Sequence, residues 1–325
     1  MIAFTGALMR LVWLAVCAFT GSTWAQQPFP AKPIRLIIPT APGGSTDMLA
    51  RLIGLKLTER WGQQLIADNR AGGNGVIAGE ALTKAAPDGY TIMITSSAHI
   101  ITPLIARTPY DAINDFAPVA ANATSENILV IHPSLPAKDL QQFIRIAKSS
   151  PGQLNYATGG VGTLAHLAGV LFGTMTGVKM QQIPYKSGGP AITDLVGGHV
   201  EVYFAVPISI MPRISSGRVR PIAVTGKTRL SALPNVPTFA EAGLPGFDVR
   251  YWYGTLAPAA TSKEIVDKLS TEIGRILTTP EMKEKLQTQG MDPLISTPEE
   301  LAALMRAETA QYSKIVKSAH IKLEQ

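Results

Sequence analysis

The sequence is poor in cysteine, in charged residues and in aromatic residues. Its 325 residues include a single cysteine, Cys17, while charged residues make up 16% of the chain and aromatic residues 6%. Cys17 lies in an apolar N-terminal segment that we expect to be removed. The remaining chain therefore has no thiol for a disulfide, a thiolate metal site or a cysteine nucleophile.

The N-terminal segment has the three parts of a secretory signal peptide. Arg10 gives a positive flank, the apolar run Leu11–Phe19 follows, and residues 23–25 (TWA) form a small-x-Ala cleavage site. We predict a signal peptide over residues 1–25, cleavage after Ala25 and export to the periplasm. The apolar run is shorter than the ~20 residues that a transmembrane helix needs, and no later run is long enough.

The start codon and the fate of Cys17 each have two interpretations. Translation could start at Met1 or at Met9, and the second start gives a more usual basic N-terminus. Cys17 follows Leu14-Ala15-Val16, as in some lipid-attachment sites, but Val16 is bulky for the position before a lipidated cysteine. We therefore favour a protein that is cleaved and carries no lipid.

The positive charge is small and dispersed. Lys and Arg number 29 against 23 Asp and Glu, and the chain without its signal segment keeps a net charge of about +5, because Arg10 is the only charge in that segment. No basic run is interleaved with aromatic residues, which argues against a nucleic-acid surface. A mild positive field suits the capture of small anions.

Motifs of common enzyme sites are absent. There is no GxSxG elbow, no HExxH, no pair of histidines at metal-ligand spacing, no GxGxxG and no GxxxxGK[ST]. Asp194 and Glu201 have no evident acid or base partner. We therefore expect no catalysis, no cofactor and no metal ion.

Short apolar runs alternate with segments of helical spacing, which predicts an α/β protein with largely parallel sheets. The predicted strands cover residues 34–38, 64–68, 90–95, 128–132, 154–158, 181–185, 200–204 and 221–225. A first predicted helix begins near residue 45. Further helices are predicted over residues 75–86, 138–149, 190–196 and 207–216, and the last part of the chain is mostly helical. About 300 residues after the signal segment suffice for two domains.

Two glycine-rich corners each join a predicted strand to a helix start. The first corner is residues 39–47 (PTAPGGSTD), and the second corner is residues 158–166 (TGGVGTLAH). The first turn of a helix leaves backbone N–H groups unpaired and carries partial positive charge, and glycine lets an anion approach them closely. Neither corner contains a lysine, which disfavours a nucleotide phosphate site. We expect the two corners to face one cleft and to bind a small anion.

The polar residues of the corners also have structural interpretations. Ser45 and Thr46 suit helix N-caps, and Asp47 would stabilise the helix dipole while opposing a nearby anion. His166 and His99 suit packed, hydrogen-bonded positions, but either could serve a secreted hydrolase together with a nearby serine. The sequence leaves these alternatives open.

Six stretches of the chain, taken together and in order, resemble the periplasmic solute-binding subunits of tripartite tricarboxylate transporters, the Bug-type receptors. These stretches are PAKPIRLIIPTAPGGSTDMLAR, ADNRAGGNGVIAGEALTKAAPDGYTI, LNYATGGVGTLAHLAG, IPYKSGGPAITDLVGGHVEVYF, LPNVPTFAEAGLPGF and LAPAATSKEIVDKL. The resemblance implies a two-lobe, type II Venus-flytrap fold, each lobe a mainly parallel sheet flanked by helices. We predict one lobe from residues 26–126 and 251–325 and the other from residues 127–250.

The resemblance also implies that the two corners grip one ligand carboxylate, often through bridging waters. Carried over by motif, the ligand-binding residues are Thr40, Ala41, Gly43, Gly44, Ser45, Asp47, Ser96, Ser97, Gly162, Thr163, Leu164, His166 and Ala205.

The sequence departs from the family's pattern at three places. The family usually has an aromatic residue at Thr40, a polar side chain at Leu164, and Asp followed by Asn at Ala205 and Val206. That Asp can pair with the ammonium group of an amino-acid ligand, and an unpaired buried charge is costly. We therefore predict a ligand without an amino group, in a roomier and more apolar pocket.

The predicted ligand is a small mono- or dicarboxylate, and aromatic diacids fit the expected pocket. A second carboxylate of such a ligand could meet Arg250, Lys186 or His99. The resemblance implies a monomeric receptor that delivers its ligand to two membrane subunits of the transporter. A sensor that presents its closed form to a signalling receptor is the alternative, which sequence cannot separate from transport.

Overall fold

The structure is a computed structural model that describes residues 29–160, 162–185 and 188–318. The predicted signal peptide, Cys17 and Lys186 lie outside the described residues. No helix in the described part is long and apolar enough to cross a membrane.

Strands and helices alternate along most of the described chain. The strands are β1 (Ile34–Ile38), β2 (Leu65–Asn69), β3 (Thr91–Ser96), β4 (Phe116–Glu126), β5 (Ile128–Ile131), β6 (Asn155–Thr158), β7 (Gln181–Pro184), β8 (Val202–Ala205), β9 (Arg220–Val224), β10 (Arg250–Pro258) and β11 (Asp292–Pro293). The helices are α1 (Ser45–Trp61), α2 (Val76–Thr83), α3 (Ala98–Ile105), α4 (Leu140–Ser149), α5 (Leu164–Thr176), α6 (Gly188–Gly197), α7 (Pro207–Ser215), α8 (Lys263–Leu277), α9 (Pro280–Thr288) and α10 (Pro298–Ser318).

The strands form two sheets, each flanked by helices. The first sheet has the order β11-β4-β10-β3-β1-β2, and the second has the order β7-β6-β8-β5-β9. We call each sheet with its helices a lobe. The predicted two-lobe α/β class is confirmed.

The strand directions correct the expectation of mainly parallel sheets, because both sheets are mixed. The pairs β1–β2, β1–β3, β6–β7 and β6–β8 are parallel, whereas β4, β5 and β10 pair only with antiparallel neighbours. Strand β4 leads out of the first sheet directly into β5, and β10 brings the chain back. A strand that returns beside the outgoing strand must run antiparallel to it.

The two crossings between the sheets lie side by side. Asn127 separates β4 from β5, and its backbone N–H donates to Thr225 Oγ1 at 2.9 Å. The Thr225 hydroxyl in turn donates to the carbonyl of Val249, just before β10, at 2.6 Å. Glu126 ends β4 opposite Arg250, the first residue of β10. Burial raises the pKa of Glu126 to about 7, although Arg250 lowers it in part.

Apolar faces of the helices and strands form the core. The second lobe buries a cluster of phenylalanine rings whose neighbouring centroids lie 4.1 to 6.4 Å apart. Its members are Phe143, Phe172, Phe204, Phe239 and Phe247. Each buried ring contributes about 1.5–3 kcal/mol relative to exposure. In the first lobe, Trp252 of β10 is buried and its indole N–H donates to Glu308 Oε2 of α10 at 2.9 Å, so Trp252 fills the core.

Candidate functional site

The first corner turns the chain from the buried strand β1 into helix α1. Gly43 has a φ of +87°, a conformation that favours glycine, and its N–H donates to Asp47 Oδ2 at 2.9 Å. Helix α1 is capped by Gly44 without any side-chain hydrogen bond, so neither Ser45 nor Thr46 is the N-cap. Among the described residues, the backbone N–H groups of Gly44 and Ser45 have no hydrogen-bond partner. This corner therefore presents free donors at a helix start.

Asp47 serves the corner itself. Its buried carboxylate also accepts from Arg51 Nε at 2.9 Å and from Asn69 Nδ2 at 2.8 Å. Burial acts to raise the pKa of Asp47, but the hydrogen bonds from Arg51, Asn69 and Gly43 outweigh burial, and the pKa is lowered. The carboxylate remains ionised and holds Gly43 in place, which leaves the Gly43 N–H no freedom to bind a ligand.

The second corner repeats this arrangement with neutral groups. Gly162 has a φ of +76°, and its N–H donates to His166 Nδ1 at 3.1 Å. Thr163 caps helix α5 by accepting from the His166 N–H at 3.4 Å, and its hydroxyl donates to the Gly160 carbonyl at 2.8 Å. Burial lowers the pKa of His166 to about 4, so the imidazole is neutral near pH 7. A neutral ring can accept from the Gly162 N–H, as an imidazolium could not.

A tyrosine of β10 reaches each helix start. Tyr251 Oη accepts from the Leu164 N–H at 3.3 Å, and Tyr253 Oη donates to Ser45 Oγ at 3.1 Å. The two rings stack with their centroids 6.3 Å apart. Leu164 is one of the predicted ligand-binding residues, and its N–H already has a phenol oxygen as its partner.

Both corners line one cleft of about 780 Å³, a volume typical of small-molecule sites. The predicted residues in its lining are Thr40, Ala41, Gly43, Gly44, Ser96, Gly162, Thr163 and Leu164. The predicted residues outside the lining are Ser45, Asp47, Ser97, His166 and Ala205.

The residues outside the lining differ in why they lie there. Asp47 and His166 turn their side chains to the corner glycines, and the Ser45 hydroxyl meets Tyr253. Ser97 and Ala205 are fully buried, Ser97 at the N-cap of α3 and Ala205 at the end of β8. The small side chain of Ala205 thus does not itself enlarge the cleft.

The structure adds a loop to the lining that the sequence analysis did not assign to the site. This loop is residues 71–75 (AGGNG), and Thr102 Oγ1 donates to the Asn74 carbonyl at 3.1 Å. Asn74 has a φ of +52°, which asparagine tolerates better than most residues. The run of glycines around an asparagine was the available signal for a tight loop near the ligand.

His99 lines the cleft but is not a cation. Its Nε2 lies 2.9 Å from the Ala112 carbonyl, and its ring packs on Tyr110 and Phe116. Burial lowers the pKa of His99 to about 4. In the described part of the chain, neither His99 nor His166 contacts a serine hydroxyl, so the geometry offers no support for the hydrolase alternative.

The described lining contains no Lys, Arg, Asp or Glu. Arg250, which we considered for a second carboxylate, makes two hydrogen bonds to Asp248 at 2.6 and 3.0 Å and lies outside the lining. Lys186 is outside the described residues. The polar groups that the described lining offers are backbone N–H groups, hydroxyls, the Asn74 amide and the His99 imidazole.

Proteins similar to this chain have been described in several bacteria. A UPF0065 protein encoded between tcbD and tcbE in a Pseudomonas strain is 37% identical over 97% of this chain and 95% of that protein. Protein BugT of Bordetella pertussis is 34% identical over 91% of this chain and 92% of that protein.

Solved structures show the same architecture. Rpa4515 of R. palustris, solved with adipate, superposes with a TM-score of 0.80 at 36% identity over 90% of this chain and 99% of that chain. MatC of Rhodopseudomonas palustris, solved with bound malate, has a TM-score of 0.75 at 30% identity over 89% of this chain and 100% of that chain. The periplasmic binding protein BugD has a TM-score of 0.77 at 28% identity over 91% and 100%.

Residues 49–321 match the family TctC, described as the tripartite tricarboxylate transporter family receptor. The resemblance to Bug-type receptors is therefore confirmed. Proteins of this family are periplasmic solute-binding receptors and not enzymes, which removes the hydrolase alternative. This chain belongs to the tripartite tricarboxylate transporter receptor family.

Proposed function

We propose that this receptor holds a small organic carboxylate between its two corners and delivers it, as a monomer, to the membrane subunits of a tripartite tricarboxylate transporter. The observation that carries the proposal is the convergence of two lysine-free helix starts, α1 and α5, on one cleft. The structures of relatives with adipate and malate support a carboxylate as the ligand.

At the first corner, the proposed donors to the carboxylate are the N–H groups of Gly44 and Ser45 and the hydroxyl of Thr40. The Thr40 oxygen is buried without a hydrogen-bond partner among the described residues, and a Cβ added at Gly44 would lie 3.6 Å from it. Each hydrogen bond to a charged group contributes about 1.5–3 kcal/mol, and the helix dipole adds about 0.3–2 kcal/mol. In the upper part of these ranges, three or four such contacts reach micromolar affinity, about −8 kcal/mol.

At the second corner, Thr163, which lines the cleft, is part of the proposed site. Ser96 and Asn74, which also line the cleft, are proposed to meet the rest of the ligand. Asp47 and His166 act indirectly in this scheme, because each fixes the glycine whose backbone shapes its corner.

We infer that the ligand carries no amino group. A buried ammonium needs a compensating charge, and the described lining has no carboxylate to supply one. Apolar lining residues suit a hydrocarbon or aromatic body; they are Pro39, Ala41, Pro42, Ala71, Ala98, Ile101 and Leu164.

For the lobes we propose crossings at Asn127 and near Tyr251, with residues 26–126 and 251–325 in the first lobe and residues 127–250 in the second. Asn127 lies between strands of different sheets, and β10 begins at Arg250, which supports these bounds. Ligand binding would then close the lobes about the paired crossings, and the closed form would be presented to the membrane subunits.

Calorimetry with purified protein tests the proposed function. We expect adipate or benzoate-type diacids to bind at micromolar concentrations, with glutamate binding at least tenfold more weakly, and the acid to be recovered unchanged after incubation. Tight glutamate binding would contradict the inference of a ligand without an amino group. Absence of binding across a few dozen organic acids would contradict carboxylate recognition itself.

A further inference from the structure

The hydroxyl group of Tyr251 occupies a defined position at the start of helix α5. Its oxygen accepts the hydrogen bond from the Leu164 N–H, which is the first backbone donor of that helix. Tyr251 also lines the cleft, and its side chain is only partly buried. The oxygen is thus shared between a helix start on one side and the ligand space on the other.

The contact with Leu164 determines where the phenolic hydrogen points. Because the oxygen receives a hydrogen from Leu164, its own O–H must be directed elsewhere, and no acceptor for it exists among the described residues. The open direction is the cleft. Burial and the neighbouring phenols Tyr253 and Tyr203 raise the pKa of Tyr251, so the group keeps its hydrogen at neutral pH.

Tyr251 is also held firmly in place. It is the second residue of β10, pairs with Ser125 of β4, and stacks its ring on Tyr253. Because Tyr251 lies next to the crossing between the sheets, we expect it to move little if the lobes rotate. An incoming ligand would have to distort this strand in order to displace the hydroxyl.

We propose that Tyr251 is a ligand-binding residue whose hydroxyl donates a hydrogen bond to the bound carboxylate and thereby extends the N-terminus of α5 into the cleft. This inference rests on the proposed function. The hydrogen bond from Leu164 polarises the phenol, which strengthens the bond that it donates. Leu164, whose side chain lacks the polar group usual in the family, then contributes through its backbone and through Tyr251.

Tyr253 provides a matched control two residues away. It lies on the same face of β10, but its hydroxyl donates to Ser45 Oγ and it is not part of the cleft lining. Removal of this hydroxyl deletes a hydrogen bond to the side chain of Ser45 and leaves the Ser45 backbone N–H, the proposed ligand donor, in place.

The test is calorimetric titration of wild type, Y251F and Y253F with adipate, the acid found in the similar structure. We expect Y251F to lose about ten- to a hundredfold in affinity, the effect of removing one hydrogen bond to a charged group, and Y253F to stay within about threefold of wild type. Equal or tighter binding by Y251F would overturn the inference. Such a result would mean that the Tyr251 hydroxyl does not contact the bound acid, or that it competes with the acid for the Leu164 N–H.

A second measurement separates a direct contact from a general weakening of the fold. We expect the tyrosine ultraviolet difference spectrum on addition of adipate to be present in wild type and Y253F and reduced in Y251F, while the melting temperatures of both variants in the absence of adipate remain similar. Loss of affinity with an unchanged difference spectrum would overturn the proposed contact. If wild type itself binds no carboxylate, the proposed function fails and this inference fails with it.

Discussion

The two corners share a backbone arrangement and differ in the chemistry that stabilises it. In each corner a glycine of positive φ donates its N–H to the side chain four residues later, Gly43 to Asp47 and Gly162 to His166. The acceptor of the first corner is an ionised carboxylate that also binds Arg51 and Asn69. The acceptor of the second corner is a neutral imidazole.

This difference shows that the geometry of a glycine corner at a helix start can be maintained by a charged acceptor or by a buried neutral one. Asp47 accepts hydrogen bonds from several donors, and the positive charge of Arg51 compensates its negative charge in the absence of ligand. His166 brings no charge, so the second corner adds no repulsion toward a carboxylate. The two corners should therefore respond differently to charge removal, to added volume and to acid.

The largest expected effect is at the first corner. In D47N, one of the two oxygens that receive hydrogen bonds becomes an NH₂ group facing other donors, which we expect to lower the free energy of unfolding by about 2–4 kcal/mol. In H166Q, the amide oxygen can still accept from the Gly162 N–H, and we expect a loss of about 1 kcal/mol or less. Urea denaturation of both variants measures the difference, and equal losses would show that charge is not what maintains the first corner.

An effect of intermediate size is the difference in stability loss when each corner glycine is replaced by alanine. G43A and G162A both force alanine into positive φ, at a cost of about 1–2 kcal/mol. A Cβ at Gly43 would meet nothing within 4 Å, whereas a Cβ at Gly162 would collide with Ile105 Cδ1. We expect G162A to lose about 0.5–1.5 kcal/mol more than G43A, because the end of the Ile105 side chain must leave its preferred rotamer.

The substitution I105V removes the atom with which an alanine at position 162 would collide. We expect I105V to recover part of the stability of G162A in the double variant and to recover none of that of G43A. The same recovery in both backgrounds would show that the contact between Gly162 and Ile105 is not the source of the difference.

The smallest expected effect is a pH dependence confined to the second corner. Burial lowers the folded-state pKa of His166 to about 4, below the ordinary value of 6.5. The unfolded chain therefore binds more protons between these two values, and stability falls as the pH drops from 6.5 toward 4. We expect H166Q to escape about 1–2 kcal/mol of this loss at pH 5.

Asp47 provides the contrast in that experiment. Its pKa is lowered from 3.8, so its contribution is present above 3.8 and is lost only in stronger acid. D47N should therefore parallel wild type between pH 6.5 and 4.5. Denaturant midpoints at pH 7, 6 and 5 would measure this, and an H166Q curve parallel to wild type would contradict the assignment.

Local patterns in the sequence were sufficient to predict most of the elements and both corners. The run Ile34–Ile38 is a strand from end to end, and both helix starts follow their glycines. The strands β4 and β10, which carry the crossings, were not predicted. β4 is rich in alanine, which has weak strand propensity, and β10 contains Gly254 and ends in Pro258.

The residues of the site also divide into those that local sequence patterns reveal and those that they do not. Gly43 and Gly162 could be found because a corner is encoded by adjacent residues. Tyr251 could not, because its contact with Leu164 spans 87 residues and depends on how β10 is placed between β3 and β4. The partners of Asp47 and His166 were hidden for a related reason, since a sequence does not show toward which side of a turn a polar side chain points.

The absence of Lys and Arg from the described cleft lining bears on the compartment in which the family works. At 0.1 M salt, mobile ions screen the attraction between exposed opposite charges over about 10 Å. A receptor that relies on exposed ion pairs therefore binds its ligand more weakly at high salt and more tightly at low salt. Hydrogen bonds from amides and hydroxyls in a closed cleft are short and largely shielded from those ions. We therefore expect the affinity of the proposed site to vary less with the salinity outside the cell than that of a site built on ion pairs.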